Sequence, residues 1–557
     1  MSPPEKLPSK APLEVNQRFT PGQVEQMKPY GAVRRHEAGA VLFREGDREV
    51  DCCVLISGQL DIFIYEKGEE KRVGWLEPGQ FVGDGALLSG RAAIVEARME
   101  HAGEVLHIPR PAFQQLLARE SLLSDLFVNS ILARQAWIRS TGRASVTVVG
   151  SSYSRACFAV RKLLQQHSIP FHWMDVENNP ALVEALAAKG IGPDDLPAVF
   201  RGSTIRLLKP TQSDLVEAFG LDLLADGACA DVIVVGAGPG GLAASVYAAS
   251  EGLSVLALDA EGPGGQAGAS SKIENYLGFP TGLSGRELAE RAMLQAEKFG
   301  ARISGAAAVQ GLERRDGAYC VRLQDGRCLS ARAVVVASGM QYRRLPIDNL
   351  EAFEGRGVFY GATAMEAQIT AGARVAIVGA GNSAGQGAVF LSQTAAEVHV
   401  LYRRPDIRET MSEYLVSRLE SLPNVFLHPE TEITALQGCA ERLRTIVCRR
   451  GDEEGVPLEA PFVFLFIGAK PCTDWLPQEV AKDEGGFVKT GAALSPRELV
   501  RAGWALERMP SLFETSWPRL YAVGDVRAGS VKRVASAVGE GSVCVQFIHA
   551  ALAERQG

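Results

Sequence analysis

The residues best placed to do chemistry are three glycines, Gly236, Gly238 and Gly241, between an apolar strand pattern and an alanine-rich helix pattern. Gly236 permits a tight turn, Gly238 lets the backbone approach a pyrophosphate, and Gly241 allows close packing of helix on strand. A helix that begins there offers free N–H groups and a partial positive charge to phosphates. Asp259, at the end of the next strand, is placed to accept hydrogen bonds from a ribose. The segment therefore predicts a dinucleotide site.

A second loop repeats this pattern with Gly379, Gly381 and Ala384, alanine being a permitted ending. Its second strand ends in Arg403 and Arg404 and carries no acid. A carboxylate would repel a 2′-phosphate, whereas arginines hold one by charge-assisted hydrogen bonds. The second loop therefore favours NADPH over NADH. The alternative is that the two arginines only solvate the end of a strand.

Two such loops in one part of the chain indicate two different dinucleotides, a bound flavin and a diffusing hydride donor. Near the carboxyl end, the stretch YAVGDV predicts a strand and a Gly-Asp turn, and a helix start follows it. Asp525 of this turn is placed to meet the ribityl chain of a flavin. Backbone donors near Arg533 and Val534 are placed to face the pyrimidine edge of its ring. Without this setting, a Gly-Asp pair would be an ordinary turn.

Composition narrows the classes of function. The chain has 557 residues and a formal net charge of −7, so it lacks a global basic field that would hold nucleic acid or an anionic membrane. No apolar run reaches the roughly twenty residues that a membrane helix requires. Residues 1–19 are expected to be a disordered lead-in without a signal core. Ten cysteines without CxxC spacing and eight scattered histidines predict a cytoplasmic protein with mostly reduced thiols and no zinc site.

The chain divides into three blocks, which we call the front, middle and third blocks. Residues 20–142 combine short alternating strands with two helices and predict a β-roll. Residues 145–222 alternate strand and helix patterns and predict a small α/β domain. The third block carries βαβ signals and predicts parallel, doubly wound sheets, that is, two Rossmann-like three-layer α/β domains. We expect an FAD-binding domain at 229–345 and 466–557, and an NADPH-binding domain at 346–465.

The third block resembles the low-molecular-weight thioredoxin reductases, relatives of the class II pyridine nucleotide-disulfide oxidoreductases. Its motifs follow that family's order: GAGPGG, PGGQ, IENYLGFP, VVVASG, GAGNSA, YAVGDV and KRVASAVGEG. The resemblance implies FAD and NADPH as cofactors, an NADPH domain inserted within the FAD domain and rotating relative to it, and a homodimer. The residues that it assigns to FAD are Gly236, Gly238, Pro239, Gly241, Asp259, Gly265, Gln266, Asn275, Ser338, Gly339, Gly524, Asp525, Arg533, Val534 and Ala535.

The resemblance assigns a second set of residues to NADPH. After GNSA the family commonly has acidic residues, whereas the stretch 385–387 reads Gly-Gln-Gly here. This departure leaves the phosphate contacts intact and leaves the pose of the nicotinamide open. The residues assigned to NADPH are Gly379, Gly381, Asn382, Ser383, Ala384, Arg403, Arg404 and Arg408.

The stretch GVFYGATAMEAQ, at residues 357–368, stands where this family carries its redox-active CxxC pair. The matching positions are Gly361, Ala362, Thr363 and Ala364. Neither glycine nor alanine forms a thiolate or a mixed disulfide. We therefore expect that this chain does not reduce thioredoxin by the family's route.

The front block resembles cyclic-nucleotide-binding domains. The resemblance rests on Phe43, the Glu-Gly-Asp turn at 45–47, LISGQL at 55–60, and the cassette GDGALLSGRAAIVEA at 83–97. Asp84 stands for the family's ribose-binding Glu, and Arg91 for its phosphate-binding Arg. The acid is one methylene shorter and the loop between them about two residues short. A degenerate β-roll that serves as a docking or dimerisation surface is the alternative. The residues assigned to the regulatory nucleotide are Gly83, Asp84, Arg91 and Ala92.

The middle block resembles thioredoxin- and glutaredoxin-like domains, with Pro197 where that fold carries its cis-proline. Its redox turn would lie in GSSYSRAC, which offers Cys157 and no partner cysteine. A thiolate at a helix start is chemically feasible, because the helix dipole lowers the thiol pKa. A buried packing cysteine is the commoner outcome. The block is therefore expected to be a scaffold or a partner-recognition module.

Together these features predict an FAD-dependent NADPH oxidoreductase that passes electrons directly to an unidentified acceptor, under control of a cyclic nucleotide. The acceptor is open: a small molecule, a quinone, or an iron–sulfur or flavin protein all fit. Two rivals remain at this stage. One is a ligand- and redox-responsive sensor or docking protein with little turnover. The other is a thiol-disulfide reductase that works through Cys157.

Overall fold

The structure is a computed structural model. It describes residues 17–66, 69–83, 87–88, 90, 92–141, 146–177, 179–201, 205–222, 224–270, 272–315, 317–362, 364–439 and 442–554. Asp84, Arg91 and Thr363, which the sequence analysis singled out, lie outside the described residues. No helix within the described part of the chain is both long enough and apolar enough to cross a membrane.

The front block is a β-roll of two four-stranded antiparallel sheets, with strand orders β1-β8-β3-β6 and β2-β7-β4-β5. Alternation explains the roll: Leu60, Ile62 and Ile64 point inward from one strand and are buried. Two helices after the strands close one side, as their apolar spacing predicts. The elements are α1 Pro21–Met27, β1 Ala32–His36, β2 Val41–Phe43, β3 Cys52–Leu55, β4 Gln59–Glu66, β5 Glu69–Leu76, β6 Phe81–Val82, β7 Glu96–His101, β8 Gly103–Ile108, α2 Arg110–Arg119 and α3 Ser121–Thr141.

The described end of the predicted lead-in is ordered, so extending it to residue 19 was wrong. Phe19 is buried, and its ring centroid lies 4.7 Å from that of Phe127 and 5.9 Å from that of Phe81. Burying an aromatic ring among others stabilises the packed position over a frayed one. Thr20 then caps helix α1 through the N–H of Gln23. The front block therefore begins before Thr20.

The middle block is a four-stranded sheet in the order β10-β9-β11-β12, with helices packed against it. Strands β9 and β10 are parallel, and β11 is antiparallel to both β9 and β12. The peptide bond between Leu196 and Pro197 is cis. The elements are β9 Val146–Gly150, α4 Arg155–Gln166, β10 Phe171–Asp175, α5 Pro180–Ala187, β11 Ala198–Arg201, β12 Ile205–Leu208 and α6 Gln212–Phe219.

The third block has two halves. The outer half holds a seven-stranded sheet in the order β15-β14-β13-β18-β17-β16, and β29 also pairs with β18. Strand β18 is central: β13 lies along one side, and β17 and β29 share the other. The elements are β13 Cys229–Val235, α7 Pro239–Ser250, β14 Val255–Leu258, α8 Gly265–Gly268, α9 Gly285–Lys298, β15 Arg302–Ser304, β16 Val309–Arg315, β17 Ala318–Leu323, β18 Cys328–Val336, β19 Met340–Tyr342, β28 Ala469–Pro471, α14 Pro496–Arg501, β29 Leu520–Ala522 and α15 Val534–Ala553.

The inserted half lies in the chain between β19 and β28, which pair with each other antiparallel. Its main sheet is five-stranded and parallel, in the order β20-β27-β21-β22-β23. The elements are α10 Leu350–Phe353, β20 Val358–Phe359, α11 Ala364–Ile369, β21 Arg374–Val378, α12 Asn382–Leu391, β22 Glu397–Leu401, α13 Glu413–Glu420, β23 Val425–His428, β24 Thr431–Cys439, β25 Arg442–Arg450, β26 Glu453–Glu459 and β27 Phe462–Leu465.

Both halves contain antiparallel strands that the predicted parallel, doubly wound pattern lacks. Strands β16 to β18 form a meander in the outer half, and β24 to β26 form a separate three-stranded sheet in the inserted half. Tight turns link these strands; Gly326, in the left-handed region at φ +92°, turns the chain between β17 and β18. Such hairpins form between strands that lie next to each other in the chain, whereas a parallel pair requires a crossover.

The cysteines occupy varied positions. Cys52 and Cys53 are both buried in β3 and belong to different core clusters, as expected for adjacent residues of a strand. Cys320 and Cys328, in neighbouring strands β17 and β18, are joined by a disulfide. The other eight cysteines are free.

Candidate functional site: two dinucleotide cradles

In the outer half, the first glycine loop lies against the end of the central strand. Gly236 adopts φ +108°, and a Cβ there would stand 2.2 Å from the carbonyl oxygen of Ala337, just after β18. Gly241 begins the helix so close to the loop that a Cβ would meet the carbonyl oxygen of Gly236 at 1.8 Å. The glycines at these two positions are therefore required by close backbone contact, as the sequence predicted. The loop stands at the carboxyl ends of parallel strands, where α/β sheets bind ligands.

Asp259 follows β14 and is fixed by the backbone of this loop. One oxygen, Oδ2, accepts from the N–H of Ala237 at 2.8 Å, and Oδ1 accepts from Glu261 at 3.1 Å and Gly262 at 2.9 Å. Burial raises the pKa of Asp259, and the three N–H donors oppose that rise. A carboxylate accepts about four hydrogen bonds, so the three backbone bonds leave capacity for a ribose hydroxyl.

A second glycine-rich turn closes on the first. The N–H of Gly264 donates to the carbonyl of Ala237 at 2.8 Å, and a Cβ on Gly265 would lie 3.0 Å from the Cα of Gly238. Gln266, one residue on, donates its side-chain amide to the carbonyl of Met340 in β19. These contacts place the PGGQ turn over the first loop and connect it to the strand that leads into the inserted half.

The Gly-Asp turn after β29 completes the opposite wall. Gly524 adopts φ +72°, and its N–H donates to Glu540 at 2.6 Å. Arg527 forms a bidentate ion pair with the same carboxylate, at 2.5 Å and 3.1 Å. Burial raises the pKa of Asp525, and the nearby Lys532 charge lowers it. The sequence analysis missed Glu540. The available signal was an acidic residue in the stretch GEG, about one and a half helical turns after the motif KRVA at which the helix begins.

Helix α15 begins beside this turn with open donors. Arg533 is its N-cap residue, and no side chain caps the helix. The N–H of Arg533 donates to the carbonyl of Val531 at 2.8 Å, so this donor, predicted to face a ring, is already taken. The first N–H groups inside a helix have no intrahelical partner. The open donors therefore begin at Val534 and Ala535, one residue later than the sequence analysis placed them.

Three helices that begin at the predicted dinucleotide loops share this lack of a side-chain cap: α7, α12 and α15. Among the other helices, some are capped, for example α4 by Ser154 and α9 by Ser284, and others, such as α2 and α13, are not. Where a side-chain oxygen caps a helix, it satisfies N–H groups that an anion would otherwise bind. The uncapped starts are thus suited to phosphates and ring carbonyls.

The helix starts of the outer half converge. A Cβ on Gly240 would lie 3.2 Å from the carbonyl oxygen of Ala537, and one on Gly524 would lie 3.4 Å from the Cβ of Ala537. Further along, a Cβ on Gly541 would meet the carbonyl oxygen of Gly240 at 2.2 Å, so α7 and α15 cross in close contact. The first loop, the Gly-Asp turn and the start of α15 therefore line one cradle.

The remaining predicted residues of the outer half lie around the cradle with different exposure. Ser338 donates its hydroxyl to the carbonyl of Cys472 at 2.7 Å, and the carbonyl of Gly339 accepts from the N–H of Cys472 at 3.0 Å. Pro239 is the first residue of α7. Asn275 is exposed. Ser338 and Gly339 thus join the end of β18 to the returning chain, and Asn275 faces solvent.

The inserted half repeats the glycine loop. A Cβ on Gly379 would stand 2.5 Å from the carbonyl oxygen of Phe466, whereas Gly381 faces open space. Asn382 accepts from the N–H of Ser412 at 2.8 Å through Oδ1, which ties the loop to the segment before α13. Ser383 is exposed and Ala384 fully buried in the first turn of α12. The loop is open at Gly381, where a pyrophosphate would approach.

The glycines that depart from the family pattern have a packing cause. A Cβ on Gly385 would lie 2.8 Å from the sulfur of Met411, and one on Gly387 would lie 3.0 Å from the ring of Phe466. Both positions therefore make room for bulky neighbours of α12. The sequence analysis treated them as an unexplained departure, because the neighbours come from distant parts of the chain.

The three predicted phosphate-binding arginines each lie near an acid. Arg404 pairs with Glu409 at 2.5 Å, and Arg408 pairs with Glu420 at 2.7 Å. Arg403, whose side chain is 81% exposed, lies 3.6 Å from Glu432. Exposed ion pairs contribute at most about 1 kcal/mol each, so a doubly charged phosphate can compete for these guanidinium groups.

Gly361, in the stretch that stands where the family carries its CxxC pair, contacts the outer cradle. A Cβ on Gly361 would lie 3.6 Å from the Cβ of Ala269, which follows helix α8 of the PGGQ turn. The preceding Tyr360 stacks on Tyr342 of β19, with ring centroids 6.0 Å apart and planes 16° apart. Burial and the charge of Asp525 raise the pKa of Tyr342 to about 12. The segment therefore lies against the outer half on the side of the Gly-Asp turn.

Cys157 of the middle block is buried in the first turn of α4, with a fractional exposure of 1%. Its sulfur packs on the end of β9, where a Cβ on Gly150 would lie 2.3 Å away. Burial raises the pKa of the Cys157 thiol. These features match the packing cysteine of the sequence analysis and oppose a reactive thiolate.

Two residues of the predicted regulatory site are described, Gly83 at the start of the cassette and Ala92 within it. Gly83 follows β6, and a Cβ there would stand 2.7 Å from the carbonyl oxygen of Asp51. Ala92 is partly buried, and the next residue, Ala93, exchanges backbone hydrogen bonds of 2.8 Å with the Glu-Gly-Asp turn. Asp84 and Arg91 lie outside the described residues.

The two glycine-loop halves define a flavin- and nicotinamide-dependent oxidoreductase. The chain belongs to the pyridine nucleotide-disulphide oxidoreductase family, whose pattern matches residues 230–541. It is an NAD(P)H-dependent flavoprotein oxidoreductase with FAD and NADPH as its cofactors. Residues 33–120 match the cyclic nucleotide-binding domain, in agreement with the interpretation of the front block.

Individual relatives narrow the similarity to the thioredoxin reductases. The thioredoxin reductase of Mycoplasmopsis pulmonis is 31% identical over 319 residues, which are 57% of this chain and 96% of that protein. That of Treponema pallidum is 30% identical over 313 residues, 56% of this chain and 94% of that protein. The crystal structure of T. acidophilum thioredoxin reductase superposes with a TM-score of 0.51 at 26% identity and covers 58% of this chain and 99% of that chain.

Proposed function

We propose that this chain oxidises NADPH through its FAD and passes the electrons directly to an acceptor, without an active-site disulfide. It remains thioredoxin reductase-like in its cofactor sites. The proposed enzyme differs from thioredoxin reductases in the route by which electrons leave the flavin. The acceptor is not specified, because a quinone, another small molecule or a redox protein can each accept electrons from reduced flavin.

One observation carries the proposal. Gly361 lies against Ala269, beside the PGGQ turn, and this proximity to the flavin cradle supports the alignment of residues 361–364 with the family's thiol pair. None of residues 361–364 has a sulfur. A disulfide relay needs a thiolate that attacks and a second sulfur that leaves. Electrons from this cradle therefore leave without such a relay.

The protein's own residues supply binding and orientation. FAD, when bound, accepts the hydride of NADPH and supplies the redox chemistry. Asp259 would hold the adenosine ribose, the open donors of α7 the pyrophosphate, and those of α15 the pyrimidine edge of the ring. Arg403, Arg404 and Arg408 would hold the 2′-phosphate of NADPH.

We also propose the finer organisation that supports this activity. The front block begins just before Thr20 and ends at 142, the other domain limits are 145–222, 229–345 with 466–557, and 346–465, and the middle block is a degenerate thioredoxin-like domain. The front block would bind a cyclic nucleotide through Gly83, Asp84, Arg91 and Ala92 and regulate turnover. The protein would act as a cytoplasmic homodimer.

A thiol reductase that uses Cys157 is disfavoured. The thiol is buried and its pKa is raised, whereas a reactive cysteine is accessible and has a lowered pKa. Cys157→Ser should therefore leave turnover unchanged with every acceptor. The sensor alternative predicts slow turnover with all acceptors and a large change of shape on nucleotide binding.

The proposal is tested by anaerobic titration of the yellow protein. NADPH should bleach the flavin absorbance stoichiometrically, and NADH should do so with at least tenfold weaker apparent affinity. Reduced protein should show no two-thiol increase with a thiol reagent, and it should be reoxidised by a screened acceptor. Two new thiols per flavin would refute the direct route. Arg404→Gln is the matched variant: it should weaken NADPH and leave NADH unchanged.

A further inference from the structure

The outer and inserted halves are joined by a narrow connection. The chain enters the inserted half through β19 and returns through β28, and these two short strands pair with each other. Two domains joined by such a connection move relative to each other unless a large apolar contact holds them. The angle between the halves sets where a nicotinamide bound to one would lie relative to a flavin bound to the other. An element that contacts both halves would fix this angle.

The middle block contacts the outer half near its dinucleotide cradle. Lys162 of α4 pairs with Glu261 at 2.7 Å, two residues after Asp259. Ser168 donates to Glu290 of α9 at 3.1 Å. Between these contacts, the ring of His167 lies so close to Gly305 that a Cβ there would be 2.0 Å from it. The carboxyl end of α4 is thus packed onto the outer half.

The opposite end of the same helix contacts the inserted half. Phe158 lies 5.6 Å from Phe359 of β20, centroid to centroid, and packs with Tyr153 against the inserted half's core. Arg442 of β25 stands 3.8 Å from the centre of the Tyr153 ring and pairs with Glu177 at 3.1 Å. These contacts combine apolar burial with a cation over an aromatic face.

Two buried charged side chains, Arg161 of α4 and Glu366 of α11, also interact across the boundary between the middle block and the inserted half. Burial lowers the pKa of Arg161, and the Glu366 charge opposes that shift. Arg161 also lies 4.3 Å from the centre of the Trp173 ring in its own block. Helix α11 begins at the last of the four positions, 361–364, that match the family's CxxC pair. The middle block therefore lies close to these positions.

We propose that the middle block is a brace across the two halves: helix α4 spans the pivot formed by β19 and β28 and holds the inserted half at one angle. This inference rests on the proposed function for its consequence, which is that NADPH and FAD keep one relative position through turnover. A direct electron exit needs no alternation between two arrangements, so a fixed angle suits it. The brace itself rests on the contacts of Phe158 and Arg442.

Hydrogen exchange of the pivot strands tests the brace in the full-length protein as purified. The test variant is Phe158→Ala/Arg442→Ala, since Phe158 is half-buried and Arg442 exposed. The matched control is Phe426→Ala/Arg444→Ala, which removes an exposed Phe and an exposed Arg from the same half. Amides of Met340–Tyr342, Ala469 and Lys470 should exchange at least tenfold faster in the test variant and at the wild-type rate in the control.

Equal exchange in wild type and test variant would overturn the brace, as would an equal increase in the control. If peptides of Val146–Gly150 lose protection, the middle block has unfolded, and Arg442→Ala alone replaces the double variant. That single change removes the contacts to Tyr153 and Glu177 without emptying a core, and it should raise exchange of the pivot at least threefold. No NADPH is needed, so failure of the NADPH titration and failure of the brace are separate results.

Discussion

Arg201 of the middle block donates to Glu45 of the front block, with Nε 2.6 Å from the carboxylate and both side chains buried. The same guanidinium donates to the carbonyl of Ala93 at 2.5 Å. Glu45 begins the Glu-Gly-Asp turn, and Ala93 lies within the cassette. The front and middle blocks are therefore joined by a buried charge pair at the predicted regulatory site.

Replacing one partner of this pair should destabilise the interface between the two blocks. Arg201→Met leaves the Glu45 carboxylate buried without its charge partner, which costs about 3–5 kcal/mol. Arg201→Met/Glu45→Met removes both charges and should recover most of that loss. Urea unfolding followed by hydrogen exchange in residues 41–55 measures both effects. Arg206→Met, an exposed arginine of the next strand, is the control; a cost equal to that of Arg201→Met would contradict the prediction.

Glu540 should determine how tightly the outer half binds FAD. Glu540→Ala leaves Arg527 without its bidentate partner and frees the Gly524 N–H, so the turn that carries Asp525 loosens. Loss of a charge-assisted bond of about 1.5–3 kcal/mol corresponds to roughly 10- to 100-fold weaker binding. Flavin fluorescence quenching on adding FAD to apoprotein measures the dissociation constant. Gln546→Ala, exposed on the same helix, should leave it unchanged.

Introducing cysteines at positions 361 and 364, which match the family's CxxC pair, should create a disulfide relay. In Gly361→Cys/Ala364→Cys, the first new side chain meets Ala269 at ordinary van der Waals distance. After anaerobic reduction with NADPH, the variant should release two thiols per flavin that wild type lacks, together with a thiolate-to-flavin charge-transfer band. Each single cysteine variant is a control and should show no NADPH-dependent disulfide reduction. Wild-type behaviour in the double variant would mean that the segment does not face the flavin.

The sheet of the inserted half should weaken in acid. Burial and the neighbouring His399 lower the pKa of His428 to about 4. Nδ1 of His399 lies 2.9 Å from Nε2 of His428. The unfolded histidine titrates near 6.5, so the unfolded state binds more protons between these values and stability falls as pH drops from about 6.5 to about 4. Because the ring is half-exposed, the loss is roughly 1–2 kcal/mol.

Hydrogen exchange of Val398–Leu401, corrected for the intrinsic pH dependence of exchange, measures this loss. His428→Gln should flatten the profile, because an amide does not titrate in this range. His101→Gln, an exposed histidine of the front block, should leave the profile of these strands unaltered. An unchanged slope in His428→Gln would assign the pH dependence to another group.

Local patterns were sufficient to predict the glycine loops and the helices that follow them. Gly236 and Gly241 lie where one backbone segment contacts another. The sequence pattern of strand, glycine turn and helix is sufficient to predict such a contact. The meander β16–β18 and the sheet β24–β26 were not predicted, because a short strand in a hairpin and a short strand in a parallel sheet carry similar apolar patterns.

Long-range partners were beyond sequence patterns. Glu540 and Gly524, or Gly361 and Ala269, meet because the fold brings together segments that no spacing rule connects. The packing of Met411 and Phe466 on Gly385 and Gly387 likewise joins distant parts of the chain. The error at Arg533 had a different cause: its N–H was wrongly counted as an open donor, because it bonds to Val531 in a local turn before α15.

The split of the outer half around the inserted half constrains the order in which the newly made protein matures. Strand β29 and helix α15 follow the inserted half in the chain, yet they complete the wall opposite the first glycine loop. Domains fold as units during synthesis, amino-terminal parts first. The inserted half can therefore acquire its structure on the ribosome before α15 is made, whereas the outer cradle is complete only once α15 has been made. Loading with flavin is accordingly a step that follows the synthesis of α15.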